Sequence, residues 1–318
     1  MMKAVVYHEY GSPDVLQLQE IDIPVVHDDG VLVRVHAASV NWIDWHFLTG
    51  TPLMARMMSG LFKPKRTILG VDLAGRVEAV GRNAKRFRPG EEVFGGSGNG
   101  GSFAEYVCVG ENEIQRKPAN ITFEEAASVC AAAGPALQGL RDKGQIRAGH
   151  VILINGASGG LGTFAVQIAK WLGAVVTGVC STRNLDMVRS IGADQVIDYT
   201  QADFTQGPQR YDLIFDAVAK LSFAACRRVL NPGGIYVTTA FSPALALQGL
   251  WISMTGDRKL VPFLAKPPST ADQTFVRELL QDGKLTPVID RTYTLREVPE
   301  ALRYLAGGHA RGKIIITV

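Results

Sequence analysis

The sequence predicts an α/β protein that combines a mostly antiparallel β domain with a doubly wound parallel sheet. Three observations carry that expectation. β-branched runs separated by turn residues fill roughly the first 120 positions, short apolar strands alternate with helical stretches from about Thr122, and the glycine-rich stretch NGASGGLG at 155–162 joins one such strand to one such helix. A length of 318 residues with 47% hydrophobic and 20% charged residues is ordinary globular usage, and it points to two domains at ~150 residues each.

In the first region the strand-like runs are 31–35, 76–80, 92–94 and 103–109, punctuated by Pro89-Gly90 and by the glycine cluster at 95–101. The texture changes at 121/122, so a first domain over 1–121 and a second over 122–267 are expected. In the second, VILIN at 151–155 precedes a helix with Leu161, Phe164, Ala165, Ile168 and Leu172 on one face. AVVTGV, QVIDY, YDLIFDAV and GGIYVTTA follow, each separated by a stretch long enough for a helix. Such alternation implies parallel pairing with right-handed crossovers. After Pro267 come one helical stretch and strand-like segments at 288–294 and 314–318. There is no internal repeat and no low-complexity segment.

Composition narrows the function classes. The formal net charge is only +3 and the basic residues are scattered, so no polybasic tract points to a nucleic-acid or membrane surface. Cys108, Cys130, Cys180 and Cys226 lie far apart without a CxxC pair, which favours reduced core thiols in a cytoplasmic chain over a disulfide framework. The start, MMKAVVYHEYG, enters a strand-like pattern at once and lacks the pattern of a removable signal peptide. Residues 229–256 carry no charge, but Pro232, Gly233, Gly234, Pro243 and Gln248 interrupt them. A membrane-spanning helix needs ~20 predominantly apolar residues, so a strand, a loop and a half-buried helix are expected there instead of membrane insertion.

The glycine stretch stands in the context that nucleotide binding requires. Gly156, Gly159 and Gly162 follow a buried strand and open a helix, so the chain can turn tightly and let a pyrophosphate approach the backbone. Free amides and the helix dipole then face the anion, and Ser158 adds a hydroxyl. The spacing, G-x-x-G-x-x-G, is a variant of the usual fingerprint, and a glycine turn without a ligand is the alternative reading. An NAD enzyme carries Asp or Glu about 20 residues on, to hold the ribose hydroxyls. Here VCSTRN offers Ser181, Thr182, Arg183 and Asn184 and no carboxylate, and Arg183 can meet a 2′-phosphate with a planar fork of donors. NADPH is therefore the expected coenzyme, with Tyr199 as a second phosphate contact. A surface Arg and a packing Tyr are the alternative.

Several further segments, AASVNWIDW (37–45), ILGVDLAGRVEAVG (68–81), FRPGEEVFG (87–95), GSFAEYV (101–107), GADQVIDY (192–199) and GHARGKIII (308–316), resemble the medium-chain dehydrogenase/reductases, and within them the zinc-free quinone oxidoreductase group. GHARGKIII and CSTRN are most similar to the branch of chloroplast-envelope quinone oxidoreductase homologues and reticulon-interacting oxidoreductases. The resemblance implies a GroES-like β domain completed by residues 268–318, a Rossmann domain over 122–267, an active site in the cleft between them, and a homodimer formed through the nucleotide domain's sheet edge. It also implies coenzyme contacts from Gly160, Leu161, Asn184, Ala217, Val218, Thr239 and Lys313.

The zinc alcohol dehydrogenases of the same family supply the competing chemistry. Where they carry a ligand Cys this chain has Asn41, and where they carry Gly-His-Glu it has Gly70-Val71-Asp72. Neither Asn41 nor Val71 can replace a thiolate and an imidazole at a tetrahedral zinc site, and the four-Cys lobe is missing as well. Cys130 lies close to the third ligand's position and His46 is near Asn41, but without partners each reads as a packing or surface residue, so no metal is expected. Without a Lewis acid the accessible chemistry is hydride delivery to a quinone or to the β-carbon of an α,β-unsaturated carbonyl, where the charge spreads over an enolate or phenolate.

Asn41 is the candidate for positioning the nicotinamide ribose or the carbonyl, with a plain turn residue as the alternative, and Asp44 for orienting its loop. Trp42 replaces the group's usual Pro, Pro135 stands where the family commonly has Thr, and residues 47–66 are rich in Met and aromatic groups. Trp42, Trp45 and Met57 are thus candidate substrate contacts under a lid, or else part of a buried helix. Phe241 and Ser242 follow the strand IYVTTA, where substrate is expected at the carboxyl ends of strands. A zinc-type alcohol dehydrogenase and a non-catalytic NADPH-binding structural or regulatory protein are the alternatives to a reductase.

Overall fold

A computed structural model describes residues 1–318, apart from the side chain of Thr255. Its contacts divide the chain into two compact units: Met1–Ala131 with Ser269–Gly283 and Pro287–Val318, and Ala132–Pro268 with Lys284–Thr286.

The first unit is organised by one long strand, Gly30–Val40. It pairs antiparallel with Asp72–Val80 along one edge. Along the other edge it is shared: residues 30–34 pair with Tyr106–Gly110 and residues 37–40 with Lys313–Thr317, both antiparallel. Glu92–Gly96 and Ile114–Arg116 extend one side of this sheet, and Ile289–Thr294 joins the other side in parallel with Lys313–Thr317. Met2–Val6 and Gln17–Ile21 form a separate antiparallel pair. Sharing one edge between two partners lets the strand line two apolar cores. Val31, Val33, Leu73 and Val93 pack in one. Tyr7, Leu48, Phe103, Leu302 and Ile316 pack in the other.

The second unit holds six strands paired in parallel throughout, in the order Gln195–Asp198, Val175–Cys180, Val151–Asn155, Tyr211–Asp216, Leu230–Thr238, Lys259–Pro262. Numbered along the chain this is 3-2-1-4-5-6, the doubly wound order whose switch point lies between the first and fourth strands. The strand cores are almost free of polar residues because sheets of this kind are covered on both faces. The helix Gly160–Trp171 buries Phe164, Ala165, Val166 and Ile168.

Three expectations need correction. The texture break at 121/122 is not where the contacts divide the chain. The helix Phe123–Ala127, opened by a Thr122–Glu125 capping box, belongs to the first unit, where Phe123 stacks on His36 at 4.4 Å. The C-terminal region holds two helices, Thr270–Gln281 and Val298–Ala306, where one was expected. Pro299 reads as a breaker but sits in the first turn, where its missing N–H costs nothing, and Val298, Ala301, Leu302 and Leu305 form the buried stripe. Residues 47–66 are not a single buried helix: Leu53–Ser59 leaves Met57, Met58, Leu61 and Phe62 exposed on it or just after it. The uncharged stretch 229–256 is the strand Leu230–Thr238 followed by the helix Pro243–Thr255, and no helix among the described residues is long and apolar enough to cross a membrane.

Gly162 is held to its size by backbone contact, since a Cβ there would lie 2.0 Å from the Gly156 carbonyl oxygen. Gly162→Ala is therefore expected to lower stability by about 1–3 kcal/mol through overpacking. Urea unfolding of the two proteins measures this, and an unchanged midpoint would show that the turn relaxes.

Candidate functional site

In the second unit the site is built at the switch point. Strand Val151–Asn155 ends at Asn155 and strand Tyr211–Asp216 at Asp216, and the Asn155 Nδ2 donates to Asp216 Oδ1 at 2.8 Å. The fully buried Asp216 carboxylate also accepts from the backbone N–H groups of Val218 and Ala219 at 3.1 Å and of Leu221 at 3.2 Å, and from the Tyr236 hydroxyl at 2.9 Å. One carboxylate thus fixes the loop leaving its strand. Burial, with Asp216 beside it, raises the Tyr236 phenol well above its ordinary range, so it stays a donor.

The glycine turn passes over this point. Gly156 has a φ of +78°, and a Cβ there would stand 2.4 Å from Val218 Cγ2. Gly159 is the N-cap of the helix Gly160–Trp171 and brings no side-chain acceptor, so no side chain covers the first-turn amides of Gly160, Leu161 and Gly162. Asn184 Nδ2 donates to Ser158 Oγ at 3.0 Å and to Ser181 Oγ at 3.3 Å, tying the turn to the end of the second strand. The Asn184 Oδ1 is buried without a hydrogen-bond partner. Arg183 and Tyr199 are exposed beside this knot. Thr182 is committed, its hydroxyl donating to Asp198 at 2.5 Å. A glycine cradle, open helix amides and an orphaned polar oxygen are features that a phosphorylated dinucleotide fits.

The first unit holds a buried polar cluster. Asn41 is the N-cap residue of the helix Trp42–Thr49, with no cap bond from its side chain, and the Asp44 carboxylate accepts the Asn41 backbone N–H at 2.9 Å. Its other oxygen accepts the Gly70 N–H at 3.0 Å. Complete burial pushes the Asp44 carboxyl up to about 7 in spite of these two bonds. Asp72 Oδ2 accepts from Ser39 Oγ at 2.6 Å, Asn41 Nδ2 at 3.1 Å and Lys313 Nζ at 3.2 Å, and its Oδ1 accepts the Ala131 N–H at 2.7 Å. The Lys313 ammonium, whose side chain is 3% exposed, also donates to Asn41 Oδ1. Burial, then the Asp72 charge, raises the neighbouring Cys130 thiol far above its ordinary range.

The residues singled out in the sequence therefore fall into groups. Gly156, Ser158, Gly159, Gly160, Leu161, Gly162, Ser181, Asn184, Ala217 and Val218 come together in the second unit. Thr239 joins them through its Oγ1, which donates to the Asp216 carbonyl at 3.3 Å. Asn41, Asp44 and Lys313 come together in the first unit. Lys313 was assigned to the coenzyme; two of the three N–H donors of its ammonium go to Asn41 and Asp72. Trp45 packs against the apolar core of its unit, Ser242 Oγ is the N-cap acceptor of the helix Pro243–Thr255, and Trp42, Met57 and Phe241 are exposed. His46 Nδ1 lies 2.7 Å from the Thr51 carbonyl oxygen. Sequence reasoning missed Asp72, Ser39 and Asp216 as organisers. For Asp216 a signal existed, a carboxylate closing the apolar run LIF, which marks a buried, satisfied charge.

Doubly wound sheet, phosphate turn and antiparallel partner unit define the scaffold of a dinucleotide-binding oxidoreductase. Comparisons with known proteins agree. The family model described as the alcohol dehydrogenase GroES-like domain matches residues 27–119, and the one described as zinc-binding dehydrogenase matches residues 191–316. The chain is 34% identical over 336 residues to the chloroplastic NADPH-dependent alkenal/one oxidoreductase of Arabidopsis thaliana, covering 99% of this chain and 79% of the relative. It is 32% identical to the chloroplastic quinone-oxidoreductase homolog of Spinacia oleracea, covering 99% and 98%. The solved structure of the quinone oxidoreductase from Coxiella burnetii superposes with a TM-score of 0.89 at 29% identity, covering 100% of this chain and 99% of that one. The chain belongs to the quinone oxidoreductase branch of the medium-chain dehydrogenase/reductases.

Because Asp44 titrates higher folded than unfolded, the native state binds the extra proton between about pH 4 and 7. The stability this group contributes is therefore present below the unfolded value, declines as pH rises through that window, and is gone above it. Asp44→Asn should flatten this dependence. Urea midpoints of both proteins across the window check it, and parallel curves would show that Asp44 stays ionised throughout.

Proposed function

We propose that the protein is an NADPH-dependent reductase of quinones or α,β-unsaturated carbonyls that works without a metal; its Arabidopsis relative is named an NADPH-dependent alkenal/one oxidoreductase and its spinach relative a quinone-oxidoreductase homolog. The observation that carries this reading is the nucleotide turn at the switch point combined with Ser181-Thr182-Arg183-Asn184, rather than a carboxylate, at the end of the second strand. The amides of Gly160, Leu161 and Gly162 hold the pyrophosphate, and Arg183 and Tyr199 hold the 2′-phosphate. When bound, NADPH supplies the hydride.

Asn41 serves the ribose rather than the substrate carbonyl. Both amide hydrogens are taken up among Ser39 and Asp72, and Lys313 occupies one side of Oδ1, so the open valence is a lone pair that accepts a hydroxyl. Asp44 orients the Asn41 backbone and gives no proton to the substrate. Trp42 and Met57 in the first unit, both exposed and apolar, suit a flat conjugated substrate, and Phe241 in the second unit is likewise exposed. The proton reaches the enolate from water or a coenzyme hydroxyl. We further propose a homodimer in a reducing cytoplasmic compartment. The four cysteines, all free thiols, fit such a compartment, and the edge strand Lys259–Pro262 offers an unpaired ladder for the second copy.

Purified protein given NADPH and a panel of quinones and enones should consume the coenzyme's near-ultraviolet absorbance, and silence across the panel from NADPH-bound protein would remove the reading. Arg183→Ala should weaken NADPH roughly 10–100-fold by calorimetry, the worth of a charge-assisted contact, and NADH far less. Equal losses for both coenzymes would refute the phosphate assignment.

A further inference from the structure

A surface helix ordinarily turns its apolar side chains inward, and the helix Leu53–Ser59 in the first unit does the reverse. Ala55 and Ser59 are buried, while Leu53, Met57 and Met58 are exposed. The loop that follows carries the same character to its tip. The Lys65 N–H donates to the Ser59 carbonyl at 2.7 Å and closes residues 59–65 into a ring. The Tyr10 hydroxyl donates to the Gly60 carbonyl, and a Cβ at Gly60 would lie 2.2 Å from the Lys63 carbonyl oxygen, so the loop is packed against itself. Leu61 and Phe62 stand on it, and Phe62, 90% exposed, is the most exposed large apolar side chain of the described residues.

The charges around this tip are of one sign. Arg56, Lys63, Lys65 and Arg66 fall within residues 45–71, a segment with no Asp or Glu. The carboxylates that bound it, Asp44 and Asp72, are fully buried. Among the described residues none of the four cations forms an ion pair. Arg56 lies over the Tyr10 ring and donates to the Gly50 carbonyl, Arg66 donates to the Gly98 carbonyl and to Asn99, and Lys63 and Lys65 are exposed. The exposed Glu9, next to Tyr10 in the chain, pairs with none of them. Elsewhere in this unit Arg76, Arg82, Arg116 and Arg303 each meet a carboxylate. Counted along the sequence the cations are scattered, but the fold leaves these four without counter-charges.

We infer that this protrusion docks the protein onto an anionic lipid surface, with Leu61 and Phe62 entering the acyl boundary and Lys63 and Lys65 meeting the headgroup phosphates. An apolar tip beside unpaired cations divides binding between acyl chains and anionic headgroups. Small-molecule sites are concave, whereas Phe62 stands out from its surface. Protein interfaces are depleted in lysine, whereas two lysines follow this aromatic tip within three positions. A loop already closed on itself also loses little conformational freedom on binding.

The test needs neither coenzyme nor substrate, so it stands apart from the reductase reading. The full-length protein is sedimented with vesicles of phosphatidylcholine alone and of phosphatidylcholine mixed with phosphatidylglycerol. It should bind the anionic vesicles and leave the neutral ones in suspension. Lys63→Glu with Lys65→Glu should weaken that binding at least ~30-fold and Leu61→Ser with Phe62→Ser at least ~10-fold, whereas Lys63→Arg with Lys65→Arg should keep it. Phe62→Trp should also keep it, and its fluorescence should shift further to the blue on vesicle addition than that of the parent protein. Binding weakened by the charge reversal alone would mean attraction without insertion and overturns the inference, as does binding that neither pair of changes weakens. Absence of binding to both vesicles overturns it too, and a solution mass halved by Leu61→Ser with Phe62→Ser would then give the patch to a second copy of the chain. Should either pair of changes abolish the circular-dichroism spectrum, Phe62→Trp decides alone: the extra blue shift supports the inference and its absence overturns it.

Discussion

The nucleotide-binding unit depends on one buried carboxylate. A parallel sheet ends its strands in backbone groups and loops that need partners, and at the switch point Asp216 supplies them through hydrogen bonds to Asn155, Val218, Ala219, Leu221 and Tyr236. With the fourth strand's exit loop pinned in this way, Val218 stands against Gly156 and leaves room for no side chain there. Glycine at 156 is thus a consequence of where Asp216 holds the neighbouring loop, as much as of the ligand it would meet.

The first unit solves a similar problem with a second carboxylate and a lysine. Asp72 lies at the start of its strand and collects donors from three distant parts of the chain, Ser39 and Asn41, Ala131 and Lys313. A buried ion pair contributes little net stability compared with apolar packing, and breaking it is costly, so its value lies in the arrangement it specifies. Here that arrangement is the orientation of one amide. On this dehydrogenase scaffold the polar cluster of the first unit is held together by Ser39, Asn41, Asp72 and Lys313.

Much of this was legible in the chain, because local patterns report local structure. VILIN followed by NGASGGLG and an apolar helix stripe gave the first strand, turn and helix of the doubly wound sheet, and the missing carboxylate after VVTGVC gave the coenzyme preference. What stayed hidden depended on distance or on context. Lys313 meets Asp72 across 241 positions, and no spacing rule predicts such a contact. Trp45 reads as a substrate contact because aromatic residues line pockets, but the same residue type also packs on cores, and the half-buried Trp45 lies against one. The helix Val298–Ala306 was obscured by Pro299, whose meaning turns on whether it falls in the first turn or the middle. Ser242 shows the same ambiguity: a hydroxyl after a strand end serves a ligand or a helix cap, and here it caps.

The discontinuity of the first unit bears on how the chain acquires its structure during synthesis. Strand Gly30–Val40 leaves the ribosome early, but the residues that complete one half of its edge, 313–317, emerge only after the whole second unit. Residues 132–268, by contrast, are nearly contiguous and form a full sheet without waiting for anything beyond a three-residue graft at 284–286. Domains fold as units when their segments are available, and contacts distant along the chain form slowly. The nucleotide unit therefore matures first, and the unit that began earlier stays an unfinished, edge-exposed intermediate until residues 313–317 arrive.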